Sequence, residues 1–231
     1  MMKINTFFSY IDAAKALTKL LLEQINKSDG KNFHLAISGG NTPAALFRLW
    51  AEEYKDIIPW KRLQIYWVDE RCVPPNDSES NFGMTKHTLL DKVPLSELQV
   101  HRIHGEDLPE IEAKRYSSLI DNLLIKDGTY PVFDCILLGI GNDGHTSSIF
   151  PGQNDLLISP DTYSVSVNPD TGKKRIALTG LPIIHARKVI FFVTGKDKKE
   201  ILNKVMKGDD KYPAGYIISR AFNAELFTDS I

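Results

Sequence analysis

The chain has 231 residues, 42% of them hydrophobic and 25% charged, with a formal net charge of −1. That length supports a substantial core, and the near-neutral balance gives a nucleic-acid or anionic-membrane partner no global electrostatic support. No apolar run approaches the ~20 residues that span a bilayer, the opening Met1-Met2-Lys3-Ile4-Asn5 does not read as a secretory leader, and the widely separated Cys72 and Cys135 suggest no disulfide framework, so a reducing cytoplasm is the expected compartment.

In chain order, a helical pattern over 10–27 precedes an apolar run at 33–38 (FHLAIS). A second helix is expected over 43–54, with Pro43 in its first turn and Asn41 or Thr42 as its cap. Apolar runs follow at 63–68 (LQIYWV), 133–138 (FDCILL) and 189–193 (VIFFV), separated by helical patterns at 80–91 and 109–126 and followed by one at 197–207. Short continuous apolar runs read as strands buried on both faces. Cys135 falls in one of them and is expected to be a small buried hydrophobe. The alternation predicts an α/β fold in three α/β/α layers, with a mostly parallel, doubly wound sheet. Residues 151–180 break the rhythm with Pro151, Gly152, Pro160, Pro169 and Gly172, and two further strands are expected there at 162–167 and 174–179. We read this stretch as an irregular excursion within one domain spanning 1–231.

In such sheets ligands bind beyond the carboxyl ends of the strands. Four loops at those ends carry chemistry: 38–43 (SGGNTP), 69–75 (DERCVPP), 139–148 (GIGNDGHTSS) and 194–198 (TGKDK). In the first, paired glycines ahead of a helix let backbone N–H groups approach an anion, or simply make a tight, well-capped turn. No Gly-Lys-Ser/Thr follows, which disfavours a nucleoside triphosphate. The third formally matches G-x-G-x-x-G, but Pro151-Gly152 interrupts the helix a dinucleotide site needs. It reads better as a Gly-rich loop presenting Asp143 and His145. A histidine exchanges protons near neutral pH, and His145 alone among the six has such a setting. His34, His87, His101, His104 and His185 are assigned structural or surface roles. His101 and His104 are three apart, but with no Cys or carboxylate expected to complete a ligand set they make a weak zinc candidate. Asp69-Glu70-Arg71 offers two carboxylates and a guanidinium suited to phosphate or a developing oxyanion, or an ion-paired rim. Arg175 and Lys198, taken singly, read as solvated cations, and Ser80 or Asn81 as a helix cap.

Together these segments resemble the 6-phosphogluconolactonases and, more distantly, the glucosamine-6-phosphate deaminases. The likeness rests on LAISGGNTP (35–43), WVDERCVP (67–74), SNFGM (80–84), FDCILLGIGNDGHTSSIFPG (133–152), RIALTGLPII (175–184) and FVTGKDK (192–198), and the match is poor after Lys211. The resemblance implies hydrolysis of a small phosphosugar lactone by a monomer or weak dimer, with no metal and no cofactor. It places the phosphate on Gly39, Gly40, Asn41, Thr42, Arg175 and Lys198. It puts His145 at the lactone as general base, with Arg71, Asp69 and Asp143 around it, and leaves open which of the two acids orients the imidazole. The deaminases carry Glu where this chain has Phe150, and tend to have Tyr in place of Arg71. Asn142 stands where Pro is common and Ser147 where Ala is common. A deaminase-like enzyme and a non-catalytic phosphosugar sensor are the alternative readings; a sensor would not need His145.

Overall fold

The computed structural model describes residues 2–28 and 30–230. Its strands are β1 (Lys3–Thr6), β2 (Phe33–Ile37), β3 (Leu63–Trp67), β4 (Asp69–Arg71), β5 (Val100–His101), β6 (Lys126–Asp127), β7 (Tyr130–Pro131), β8 (Cys135–Leu138), β9 (Tyr163–Val167), β10 (Lys174–Leu178), β11 (Val189–Phe192) and β12 (Ala224–Thr228). Its α-helices are α1 (Tyr10–Lys27), α2 (Asn41–Glu53), α3 (Asn81–Thr88), α4 (Pro109–Leu123), α5 (Gly180–His185), α6 (Lys199–Val205) and α7 (Pro213–Arg220). A seven-stranded sheet in the order β1-β12-β11-β8-β2-β3-β5 forms the middle layer, and every neighbouring pair in it is parallel. This is the expected α/β three-layer fold.

The central strands β2, β8 and β11 are apolar and almost wholly buried, as strands covered on both faces must be. Helix α1 turns Ala13, Ala14, Leu17, Leu21 and Ile25 inward at helical spacing. Ser9 caps it by accepting the Asp12 N–H. The Trp50 indole of α2 donates to Thr18 Oγ1 of α1 at 2.8 Å, so a fully buried aromatic keeps its polar atom satisfied. Cys135 is fully buried, as expected.

Strand order reverses at β2. The chain steps from β2 to β3 and β5 on one side, then returns to place β8 on the other. A crevice opens at the carboxyl ends where neighbouring strands lead their loops apart. Here the loops after β2 and β8 flank that crevice, and Ser38 Oγ donates to Leu137 O at 2.8 Å across it.

The excursion at 151–180 has its own architecture. β9 and β10 pair antiparallel, and β4 joins β10 in a second, three-stranded sheet. The continuous run from Leu63 to Arg71 therefore serves two sheets, changing over at Val68. The expected helix at 109–126 stops at Leu123, and the β6–β7 hairpin follows. Helix α2 is capped by Gly40 rather than by Asn41 or Thr42, which are its first two residues. β1, β4, β5, β7, β12, α5 and α7 lie outside the elements expected from sequence.

Candidate active site

Each loop presents its side chains for a local reason. After β2, Gly40 has φ of 102°, a left-handed backbone that favours glycine, and supplies no side-chain cap to α2. The first N–H groups of that helix are thus left for an anion. At Gly39 an added Cβ would fall 1.8 Å from Asn81 Oδ1, so the close approach of α3 requires glycine. Tyr10 of α1 donates to Thr42 O at 3.1 Å and supports the loop.

At β4, Glu70 is buried and accepts from the backbone N–H groups of Arg71, Asn81 and Phe82 and from Ser80 Oγ. Burial pushes its pKa up, opposed by those backbone donors. It ties the start of α3 to β4. Ser80 caps α3 through Gly83 N–H, while Asn81 Nδ2 donates to Asp69 O at 2.9 Å. Arg71 donates to Glu79 O. Directly opposite it in the antiparallel register stands Arg175 of β10. Among the described residues the Nε atoms of both arginines are buried without a partner. Burial, and then the Arg71 charge, hold the Arg175 pKa below its ordinary value.

The loop after β8 folds back on itself through Gly144 N–H to Gly141 O and Gly141 N–H to His145 O, each at 2.9 Å. A Cβ at Gly141 would lie 2.2 Å from the His145 ring. Asp143 Oδ1 lies 2.6 Å from His145 Nδ1 and also accepts the His145 backbone N–H at 3.1 Å. Burial works against the Asp143 carboxylate, but the His145 hydrogen bond and charge outweigh it and hold the pKa below the usual value. An ionised Asp143 accepts only, so in the neutral imidazole it keeps the proton on Nδ1 and makes Nε2 the acceptor. The Phe150 ring packs 4.7 Å from the imidazole at 45°.

Asp69 is engaged differently. Its Oδ2 accepts from Ser148 Oγ at 2.5 Å. Ser147 and Ser148 have φ of 52° and 56°, an uncommon backbone for side-chain-bearing residues. Both are buried, and Ser147 Oγ reaches Val68 O at 2.9 Å and Leu178 O at 3.0 Å, tying the loop to the ends of β3 and β10. Glu70 is one of the two carboxylates offered by Asp69-Glu70-Arg71, but its part is to hold the start of α3, and Ser147 and Ser148 carry no sequence signal for these contacts beyond their position beside His145.

Most of the residues singled out from sequence converge. Gly39, Gly40, Asn41 and Thr42 line one cavity of about 370 Å³ together with Asp69, Arg71, His145, Arg175 and Lys198. Asp143 meets that cavity through the ring of His145. The other histidines sit elsewhere: His34 and His101 flank Tyr66 in the sheet, and His185 bonds Leu181 O. One expectation is corrected. His104 does have carboxylate neighbours, since its donor atom lies within 4.8 Å of those of Asp107 and Glu112. Arg115 grips both oxygens of Glu112, which also accepts the His104 backbone N–H, so that carboxylate is already neutralised and bonded. None of the three lines the cavity.

A parallel sheet whose switch-point crevice brings together a helix N-terminus, two arginines, a lysine and an acid-backed histidine defines an α/β protein with a single cationic cavity at its strand ends. The family model described as glucosamine-6-phosphate isomerases/6-phosphogluconolactonase matches residues 10–227, and the chain belongs to this family. It is 45% identical over 171 residues to a 6-phosphogluconolactonase of Treponema pallidum, covering 74% of this chain and 71% of that one. To a 6-phosphogluconolactonase of Haemophilus influenzae it is 34% identical over 228 residues, 96% of each chain. A solved structure of a devB protein superposes with a TM-score of 0.93 at 34% identity, covering 100% of this chain and 98% of the other.

Proposed function

We infer that the chain hydrolyses 6-phospho-D-glucono-1,5-lactone to 6-phospho-D-gluconate, the lactone-opening step of the oxidative pentose phosphate pathway. The observation that carries this reading is the 2.6 Å contact between Asp143 and His145 Nδ1, at a cavity that also holds Arg71, Arg175 and Lys198. The relatives named above support it.

The substrate phosphate lies on the α2 N-terminus, Arg175 and Lys198, which anchors the lactone away from its reacting carbon and orients it. His145 Nε2 takes a proton from water. The water oxygen attacks C1, and the carbonyl electron pair moves onto oxygen. Arg71 stabilises that oxyanion, a contribution of about 10²–10³-fold for one such donor. As the oxyanion collapses, the bond from C1 to the ring oxygen breaks. The imidazolium returns its proton to that oxygen, and the new carboxylic acid ionises. Asp143 holds the imidazole and balances its transient charge, while Asp69 shapes the cavity wall with Ser148. A δ-lactone is a reactive ester, so acid–base help of ~10²–10⁴-fold suffices. The reaction needs no metal or cofactor, and activity should survive EDTA.

The same reading places the protein in the cytoplasm as a monomer or weak dimer, one unit over residues 1–231, without a nucleic-acid partner. Among the described residues no helix is long and apolar enough to cross a membrane. The direct test mixes the protein with freshly generated lactone and follows acid release. Release well above the spontaneous rate supports the assignment. A rate no faster than the blank, with phosphosugar still bound, turns the reading toward a sensor.

A further inference from the structure

Lys198 is held at both ends by different parts of the fold. Its backbone follows Gly195, whose φ is 105° and whose carbonyl accepts the Lys198 N–H at 3.0 Å. Gly195 is itself fixed from the chain's far end, by Asp229 Oδ1 accepting its N–H at 2.8 Å and Ser230 Oγ donating to its carbonyl at 2.7 Å. The ammonium group reaches across to the loop that carries His145. There it donates to Ile140 O at 3.0 Å and to Asn142 Oδ1 at 2.5 Å. An ammonium has three N–H donors. With two given to the loop, one remains for a ligand in the cavity that Lys198 lines.

The Ile140 acceptor is backbone and comes with the loop itself. The Asn142 acceptor is a side chain that is otherwise exposed. Without it only the bond to Ile140 O holds the ammonium at the end of its flexible four-carbon stem, and more of its ordering must be done when the anion arrives. The amide is neutral, so it orients the cation without cancelling its charge.

We propose that Asn142 is a positioning residue for anion capture, presetting the Lys198 ammonium that receives the substrate's phosphate. This rests on the lactone reading for the identity of that substrate. Asn142 works on the phosphate end although it sits in the loop of the proton acceptor. Its loss should therefore be felt in binding and spared in chemistry.

The test compares wild type with Asn142→Ala, Asn142→Asp, Lys198→Ala and the Asn142→Ala/Lys198→Ala double variant. Kinetics on the fresh lactone are paired with calorimetric binding of 6-phosphogluconate, which does not depend on turnover. Asn142→Ala should raise KM and the 6-phosphogluconate Kd roughly 3–10-fold, the range of one net hydrogen bond, with kcat within about twofold. Asn142→Asp keeps an acceptor but neutralises the ammonium, and should bind the anion no better than Asn142→Ala. In the Lys198→Ala background the Asn142→Ala change should add little, because both act through one cation. Unchanged binding, a kcat loss at constant KM, or additive effects in the double variant would overturn the proposal. Absence of wild-type turnover with these binding effects intact would sink the lactone reading alone.

Discussion

Arg71 and Arg175 face each other directly across the antiparallel β4–β10 pair, each with a buried Nε that finds no partner among the described residues. Like charges placed directly opposite one another on a strand pair are destabilising. An anion seated on the cavity they line would offset that repulsion. Arg175→Met should leave the unliganded Tm unchanged or higher. It should also lose much of the stabilisation conferred by 6-phosphogluconate, which for wild type is about 2.7 kcal/mol at a hundredfold excess over Kd. KM should rise while kcat is largely kept. A normal KM with a collapsed kcat would move Arg175 to the reacting end of the site.

The proton acceptor is tested by His145→Asn. The substitution keeps size and hydrogen-bonding capacity but cannot take a proton from water near pH 7. Lactone kcat/KM should fall by roughly 10²–10⁴-fold, with 6-phosphogluconate affinity retained. Asp143→Asn should also lower kcat, because the charge that balances the imidazolium is gone. Were the His145 variant folded and within a few-fold of wild type, the water would need another activator, with Asp69 and Asp143 the next candidates.

Stability in acid should depend on Glu225 of β12. Its carboxylate meets Lys188 Nζ at 2.5 Å, Lys3 Nζ at 3.2 Å and Asn5 Nδ2 at 3.0 Å. Burial opposes ionisation there, but these partners outweigh it and hold the folded pKa below the ordinary value. A depressed acid contributes fully above its unfolded pKa of about 4.3, and the contribution is lost as pH falls through the lower folded value. Tm measured from pH 6 downward should therefore drop more steeply in wild type than in Glu225→Gln. Parallel curves would show that the cluster contributes nothing to acid unfolding.

Phe150 is buried against the imidazole, at the position where the resemblance to the deaminases would put a Glu. Phe150→Glu should destabilise the protein by about 3–5 kcal/mol through lost aromatic packing, and more if the carboxylate stays ionised and unpaired. It should release no ammonia from glucosamine-6-phosphate, since Arg71 and the other loops lining the cavity are unchanged. Ammonia release at an enzyme-like rate, from this variant or from wild type, would favour a deaminase.

The four chemical loops were legible because their signals are local. An apolar run such as Cys135–Leu138, followed at once by glycines, acids and a histidine, marks a buried strand and its working end within one window. What escaped was set by contacts remote in sequence. Lys3–Thr6 is mostly exposed and gains its strand identity only by pairing with Ala224–Thr228. Ala224–Thr228 carries a glutamate that reads as surface until Lys188, Lys3 and Asn5 are seen around it. The two acids near His145 could not be ranked by spacing. Their separation emerges only when the 139–148 loop closes, taking Asp143 to the imidazole and Asp69 to Ser148. The carboxylates beside His104 are an exception: Asp107 lies three residues on and Glu112 stands in the first turn of α4, close in sequence, and only the path of the chain into that helix shows that they converge.

The place of β12 between β1 and β11 bears on how the molecule is made. A nascent chain still lacking residues 224–230 has β1 without its parallel neighbour and leaves the outer edge of β11 open, an invitation to wrong pairing until it is filled. The same late residues include Asp229 and Ser230, which pin the Gly195 turn ahead of Lys198. The His145 loop emerges from the ribosome well before that turn can be fixed. Competence to capture a phosphosugar should thus come later in synthesis than the His145 loop, arriving only when a strand threads between two neighbours that have been waiting for it.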